Sequence, residues 1–309
     1  MFEKILVNAS TLGRLSWYIR GEIATCPSLV LLGEKGIGKS LIAKELASWL
    51  LELPVGVPPV CSIDYFEVSG ERPGSLKEQM EEAVTFVSFA PVQAKRRVVV
   101  IDDAELVRQS VLLKLLEDQA KNCVFILVTS KELLHTIYSR CLVLATATPT
   151  RGDLMDFLKK NGEPVDELLL LVSGGRLGYY KQFLEDEVFR DQMAQFVNTF
   201  NQMRDKRELL EVCGALKEKD PNYYALLFTE TQMRGFFHLL EAIFRYILSA
   251  ANEVQQALPV AMRPDLVALY SREQAAEILF TIEKHSRWLA TKGRYSKNDF
   301  FDLLMLLVE

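Results

Sequence analysis

Apolar positions along this chain follow two different periods. From Leu29 to about Ala145, short runs of apolar and β-branched residues (Leu29–Leu32, Tyr65–Val68, Val98–Ile101, Val124–Val128 and Leu142–Leu144) alternate with segments whose apolar residues recur at helical spacing. Strands alternating with helices predict an α/β domain built on a parallel sheet. Val98–Ile101 and Phe125–Val128 contain no charged residue, the pattern of central strands covered on both faces. Such sheets bind ligands at the carboxyl ends of their strands.

The strand pattern stops at ATATPT (Ala145–Thr150), where small residues and Pro149 end the sheet and Thr150 can cap a helix. Helical segments are expected at Arg151–Lys160, Val165–Val172 and Leu177 to about Leu184, with Ser173-Gly174-Gly175 between the last two. A bundle this small cannot stand alone and is expected to pack on the first domain. Beyond Val188 every pattern is helical. Tyr223–Ala250 carries Leu226, Leu227, Phe236, Phe237, Leu240, Phe244 and Ile247 on one wide face. Pro259 and Pro264 separate it from Leu266–Leu289, and Ser296 can cap a last helix bearing Phe300, Phe301, Leu303, Leu304 and Leu307. The aromatic stripe reads as core, with a partner-facing surface as the alternative. The expected organisation is an α/β domain over 1–147, a small helical domain over 148–187 and an all-α domain over 188–309.

Composition narrows the class. At 309 residues the chain is too long for one ordinary core, and 49% hydrophobic with 25% charged residues describes a soluble globular protein with no sign of disorder. A net charge of -5 argues against non-specific coating of nucleic acid and leaves only local or shared contact with it. The cysteines, Cys26, Cys61, Cys123, Cys141 and Cys213, form no C-x-x-C pair, so neither a zinc site nor a disulfide framework is expected. The opening MFEKILVNAS lacks the cationic-then-apolar form of a leader, and no run is long enough to span a bilayer, so a cytoplasmic protein without a membrane partner is expected.

Candidate chemistry begins at GEKGIGKS. Gly33, Glu34, Lys35, Gly36, Ile37, Gly38, Lys39 and Ser40 form a complete phosphate-binding loop between a strand pattern and a helical one, the context in which the motif is meaningful. Its backbone N–H groups would cradle phosphates, Lys39 would reach the β and γ phosphates, and Ser40 would hold Mg²⁺ at the positive end of the following helix. RRVVVIDDAE supplies the second half: Asp102, at a strand tip, can share the Mg²⁺ with Ser40. ATP and Mg²⁺ are the expected cofactors.

These residues resemble the AAA+ ATPases, and within them the bacterial clamp-loader subunits of DNA polymerase III. The family's hydrophobic strand, acidic pair, Ala and further acid match Val98–Glu105; its LLKxLEE helix matches Leu112–Asp118; its FILTT strand matches Phe125–Ser130; its SRC tripeptide matches Ser139-Arg140-Cys141. The resemblance implies an AAA+ P-loop domain, a small helical lid and a helical collar for ring assembly. It implies that Arg140 is a finger projecting into a neighbouring subunit's ATP site, where a guanidinium stabilises the transferring phosphoryl group. Thr129 matches the polar sensor of the γ-phosphate, with Ser130 as runner-up and a plain strand-end cap as the alternative. Ile5-Leu6-Val7-Asn8 is similar to the element that packs on adenine, with Val7 in place of Gly. Lys297-Asn298-Asp299-Phe300 leads into the collar-like terminus.

Departures from the motor-subunit pattern select among relatives. Asp103 stands where a Glu base is usual, one methylene short. Only Cys61 lies where motor subunits of the gamma/tau type, and some delta-prime subunits, carry four zinc ligands, and one cysteine cannot make that site. Gly178 occupies the lid position of a sensing Arg, with Arg176 two residues early. The pattern resembles delta-prime subunits: ATP-binding, weak or inactive in hydrolysis, and mainly mechanical in loading a sliding clamp onto primed DNA. The implied partners are gamma/tau motor subunits, the clamp-opening delta subunit, the clamp and primed DNA within a hetero-oligomer. The alternatives are an active gamma/tau-type ATPase and, from another class, a small-molecule P-loop kinase.

Overall fold

The computed structural model describes residues 5–21, 27–70, 72–118, 122–205, 229–250, 269–292, 303 and 307. Cys26, Cys213, Tyr223–Leu227, Pro259, Pro264, Leu266, Ser296 and the Lys297–Phe300 run lie outside the described residues. The chain divides into two compact units, Met1–Asp153 and Leu154–Glu309.

The first unit is built on five parallel strands: β1 (Leu29–Leu32), β2 (Tyr65–Val68), β3 (Arg97–Ile101), β4 (Cys123–Thr129) and β5 (Leu142–Ala145), in the order β2-β3-β4-β1-β5. All five expected strands are present, each within a residue of its expected limits. The alternation within each strand explains why the runs are apolar throughout. Leu29, Leu31, Val98, Val100, Val124, Ile126 and Val128 face one core with α1 (Ala9–Ile19) and α2 (Lys39–Leu50). Val30, Val99, Ile101, Phe125 and Leu127 face a second core with α3 (Leu76–Val87) and α4 (Gln109–Asp118). Helices on both faces make the inner positions of the central strands apolar, while polar residues are kept to the edge strand and strand ends, as with Glu67 of β2, which pairs with Lys44 at 2.9 Å. Local signals fix the helix starts: Asn8 accepts from Ser10 N to cap α1, and Ser75 with Glu78 forms a reciprocal capping box on α3.

The amino-terminal end of the sheet is closed by buried charge. Asp64, just before β2, is fully buried and accepts the N–H groups of Val92, Gln93 and Ala94 at 2.8, 2.7 and 2.8 Å. Arg97 donates to the carbonyls of Ala90 (3.2 Å) and Phe86 (2.6 Å) and lies over the Phe86 ring, 4.3 Å from its centre. Although burial opposes it, the three N–H donors hold the Asp64 carboxyl below the usual carboxylate range. These two residues fold the irregular connection from α3 into β3.

The second unit is helical among its described residues. Its helices are α6 (Arg151–Lys160, whose first residues belong to the first unit), α7 (Glu167–Val172), α8 (Leu177–Glu185), α9 (Glu187–Gln202), α10 (Glu230–Ala250) and α11 (Arg272–Lys292); α5 (His135–Tyr138) belongs to the first unit. Asp166 and Asp186 cap α7 and α9 through their side chains. The aromatic stripe of α10 is interior: Phe236, Phe237, Leu240, Phe244 and Ile247 are all buried. Phe236 meets Phe196 edge-on at 5.0 Å and Phe244 meets Tyr270 edge-on at 5.0 Å, the geometry favoured by ring quadrupoles. Gly235 makes room for this packing, since a Cβ there would come within 3.0 and 3.1 Å of the rings of Phe183 and Phe189. The small helices α7 and α8 thus share a core with the carboxyl-terminal helices.

Candidate functional site

The phosphate loop leaves the sheet at the carboxyl tip of β1, between the tips of β4 and β5. Gly33 donates its N–H to Thr129 O at 3.2 Å, and Thr146 Oγ1 donates to Leu32 O at 3.0 Å. These contacts bring Thr146 so close that a Cβ on Gly33 would lie 2.1 Å from its Oγ1 and 2.6 Å from its carbonyl oxygen, so only glycine fits. Gly36 and Gly38 take left-handed φ values of 81° and 89°, turning successive backbone N–H groups into a cradle. Gly38 is the N-cap of α2, and no side chain caps that end. The first N–H groups of α2 therefore remain available to an anion, supported by the helix dipole. Ile37 is buried beneath the loop, Lys35 is exposed, and Glu34 accepts from Thr148 Oγ1 at 3.1 Å.

Lys39 is buried, and its Nζ donates to the loop's own carbonyls, Gly33 O at 2.8 Å and Glu34 O at 2.6 Å. Burial lowers its pKa to about 8, against the opposing pull of Glu105, Asp102 and Asp103. Ser40 Oγ donates to Asp102 Oδ2 at 2.6 Å, joining the start of α2 to the tip of β3. That pair of hard oxygens suits Mg²⁺, and the glycine cradle suits phosphate, so the residues present fit Mg²⁺-ATP.

Asp103 has φ 47° and ψ 47°, a left-handed conformation that costs a non-glycine residue about 1–2 kcal/mol. Burial first, then the neighbouring Asp102 carboxylate, raises its pKa. Glu105 follows on a short 3-10 turn (Ala104–Leu106) and accepts from Ser130 at the tip of β4, from Oγ at 2.5 Å and from N at 3.3 Å. Burial works against the Glu105 charge, yet the Ser130 hydroxyl and other hydrogen bonds bring its pKa below the usual value. Thr129 is buried; its hydroxyl donates to Lys131 O at 2.7 Å, accepts Lys131 N at 3.2 Å, and also helps to hold the Glu105 charge. The Glu105–Ser130 tie is a feature that motif reading passes over. Its one signal in the sequence is the third acid of RRVVVIDDAE, two residues beyond the acidic pair.

Arg140 stands apart from this cluster. Leu142 pairs with Leu29, so Arg140 precedes β5 at the amino-terminal end of the sheet, while Gly33 follows β1 at the carboxyl end, one strand away. Its guanidinium is partly exposed, donating to Thr136 O at 2.8 Å and pairing with Glu117 of α4 at 2.6 Å. Burial pushes the adjacent Cys141 thiol up to about 12, so it is no nucleophile at neutral pH. In the second unit, Gly178 lies in the first turn of α8. Arg176 is buried, with Nη1 2.8 Å from His238 Nε2 and its guanidinium over the Tyr179 ring, so that it serves helix packing there. Near the amino terminus, Asn8 caps α1 while Ile5 and Val7 pack against the core of the sheet.

Residues 24–150 match the family model described as DNA polymerase III, delta subunit. No curated protein matches the chain. Among solved structures, a DNA polymerase III gamma subunit-related protein from Thermotoga maritima is similar at 18% identity and a TM-score of 0.43, covering 96% of this chain and 98% of that one. The Bacillus subtilis DNA clamp loader delta protein is similar at 15% identity and a TM-score of 0.37, covering 96% and 99%. Hsp104, solved in a closed state with an ATP analogue and casein, is similar at 15% identity and a TM-score of 0.35, over 62% of this chain and 43% of that one. The family match spans the sheet, the phosphate loop and the acidic strand tip described above.

Proposed function

We propose that this chain is a clamp-loader subunit of the DNA polymerase III family, and within it of the delta-prime type. It binds Mg²⁺-ATP in the loop from Gly33 to Ser40, turns it over slowly or not at all, and offers Arg140 to the ATP of a neighbouring motor subunit. The observation that supports this reading is the strand register. Arg140 lies at the end of the sheet opposite its own phosphate loop, so any phosphoryl group it serves belongs to another chain. Slow turnover is expected from the acid beside the metal position, since Asp103 is one methylene shorter than the Glu usual there and reaches less far towards an attacking water. Within the assembly the subunit holds its neighbours through its helical carboxyl-terminal region, while the delta subunit opens the clamp for loading onto primed DNA.

The test is reconstitution with motor and clamp-opening subunits. Arg140→Ala should leave assembly intact and reduce hydrolysis at the neighbour's site by about 10³-fold, the low end of what such fingers contribute. Unchanged hydrolysis and clamp loading would remove the role. Steady-state ATP turnover by the isolated chain, abolished in Lys39→Ala, would instead favour a gamma/tau-type motor.

A further inference from the structure

The helix α1 carries more chemistry on its outer face than the fold uses. Leu15 and Tyr18 bury its inner face in the core of the sheet. The outer face presents Trp17, which is 67% exposed, with the exposed Arg14 three residues before it and the exposed Arg20 three residues after it. Residues three apart on a helix are neighbours, so the two arginines flank the tryptophan on one surface. A helical side chain leans over the turn that precedes it, and that turn offers Gly13, where an added Cβ would meet nothing within 4 Å. A bulkier residue at Gly13 would cover the indole; glycine leaves it open.

The charge on this face has one sign. From Asn8 to Gly21 the chain has two arginines and no Asp or Glu, in a protein whose net charge is -5. Arg14 gives one donor to Ala145 O at 2.9 Å, which steadies it against the end of β5, and neither arginine is tied to a carboxylate among the described residues. An open ring between unpaired cations suits single-stranded nucleic acid, whose bases stack on aromatic side chains while its phosphates take the guanidinium groups. A duplex offers the same phosphates but keeps its bases stacked on one another. An acidic peptide would use the arginines and leave the ring without a partner.

We propose that the outer face of α1 is a contact for single-stranded DNA, in which a base stacks on Trp17 and the flanking phosphates meet Arg14 and Arg20. The contact is tolerant of sequence, since every base has a ring face, and it uses none of the residues assigned to the nucleotide. It rests on the proposed function only for the source of the strand, the unpaired template of primed DNA. The isolated chain tests the α1 contact, and the Arg140 experiment tests that function independently.

The experiment is a titration of the full-length chain with a short oligothymidylate at low salt, followed by intrinsic tryptophan fluorescence. Stacking should quench Trp17, and Trp17→Phe should retain most of the binding but remove the quenching, with Trp49 and Trp288 still emitting. Trp17→Ala should weaken binding about tenfold, read from the anisotropy of a labelled strand, the loss of one stacked base. Arg14→Gln combined with Arg20→Gln should flatten the dependence of log K on log salt by about 1.4, about 0.7 for each single-strand phosphate. A duplex of the same length should bind more weakly than the single strand and be insensitive to Trp17→Ala. A wild-type chain without affinity for the strand, an unchanged affinity in Trp17→Ala, or an equal loss for the duplex overturns the contact. If Trp17→Ala binds the strand normally but no longer joins the motor subunits, the face belongs to a protein partner and the DNA contact falls.

Discussion

The two ends of the parallel sheet hold charged clusters of similar make-up and opposite character. At the amino-terminal end, Asp64 and Arg97 are deeply buried, and the backbone N–H and carbonyl groups they meet satisfy them. At the carboxyl end, Lys39 leans on its own loop's carbonyls, Asp103 sits in a left-handed conformation, and Glu105 is tied to Ser130 across the strand tips. One cluster is satisfied by the chain's own backbone; the other lies at the proposed nucleotide site. On the proposed reading that difference separates charge serving the fold from charge serving a ligand, and residue type alone would not have revealed it.

Breaking the backbone-satisfied cluster should have the largest effect on stability. Asp64→Asn keeps one acceptor oxygen but places amide hydrogens where the other carboxylate oxygen met backbone N–H. It should cost about 3 kcal/mol of unfolding free energy, measured by denaturant titration. Its pH dependence has a definite sign. The Asp64 carboxyl is held below its unfolded value, so its contribution is fully present above the unfolded pKa near 4 and disappears as pH falls through the folded value. The variant should accordingly lose stability less steeply than wild type on acidification. A variant as stable as wild type at neutral pH would dissolve the contrast between the two ends.

At the carboxyl end the expected cost to stability is smaller and the effect on ligand binding larger. Gly33→Ala places a methyl 2.1 Å from Thr146 Oγ1 and 2.6 Å from its backbone carbonyl, so the loop must move. It should lower stability by about 1–2 kcal/mol and abolish ATP binding in a titration with a fluorescent ATP analogue. Adding Thr146→Ala should not restore binding, because the carbonyl clash remains. Recovery in the double variant would show that the loop tolerates a side chain at its first position.

The same contrast explains what was legible in the sequence. The strands could be read almost to the residue, since Leu29/Leu31 and Val30 point to different helix layers and both layers demand apolar side chains. The tight turn at Gly33 and the meeting of Ser40 with Asp102 could be anticipated because these residues lie in short motifs of fixed spacing. The Asp64 and Arg97 network could not, because its partners are backbone groups that no side-chain pattern reports. Likewise Glu105 and Ser130 are 25 residues apart and meet only because β3 and β4 are neighbours in the sheet. The aromatic face of α10 left two readings open, since periodicity shows that a face is apolar without showing what covers it; Phe196, Tyr270 and their neighbours supply the cover.

The smallest expected effect concerns Arg140, which lies near neither cluster and is exposed enough to be shared between partners. Its ion pair with Glu117 joins two partly exposed side chains, and such pairs contribute about 0–1 kcal/mol. Glu117→Gln should therefore change the stability of the isolated chain by less than about 0.5 kcal/mol. In the reconstituted complex its effect should run opposite to that of Arg140→Ala. A finger bound to Glu117 must leave it to reach a neighbour's phosphate, so removing the charge should raise hydrolysis at that site by about twofold, more at low salt than at high. A fall in hydrolysis instead would mean that Glu117 presents the guanidinium to the neighbour, and the pair would then belong with the groups of the loop end.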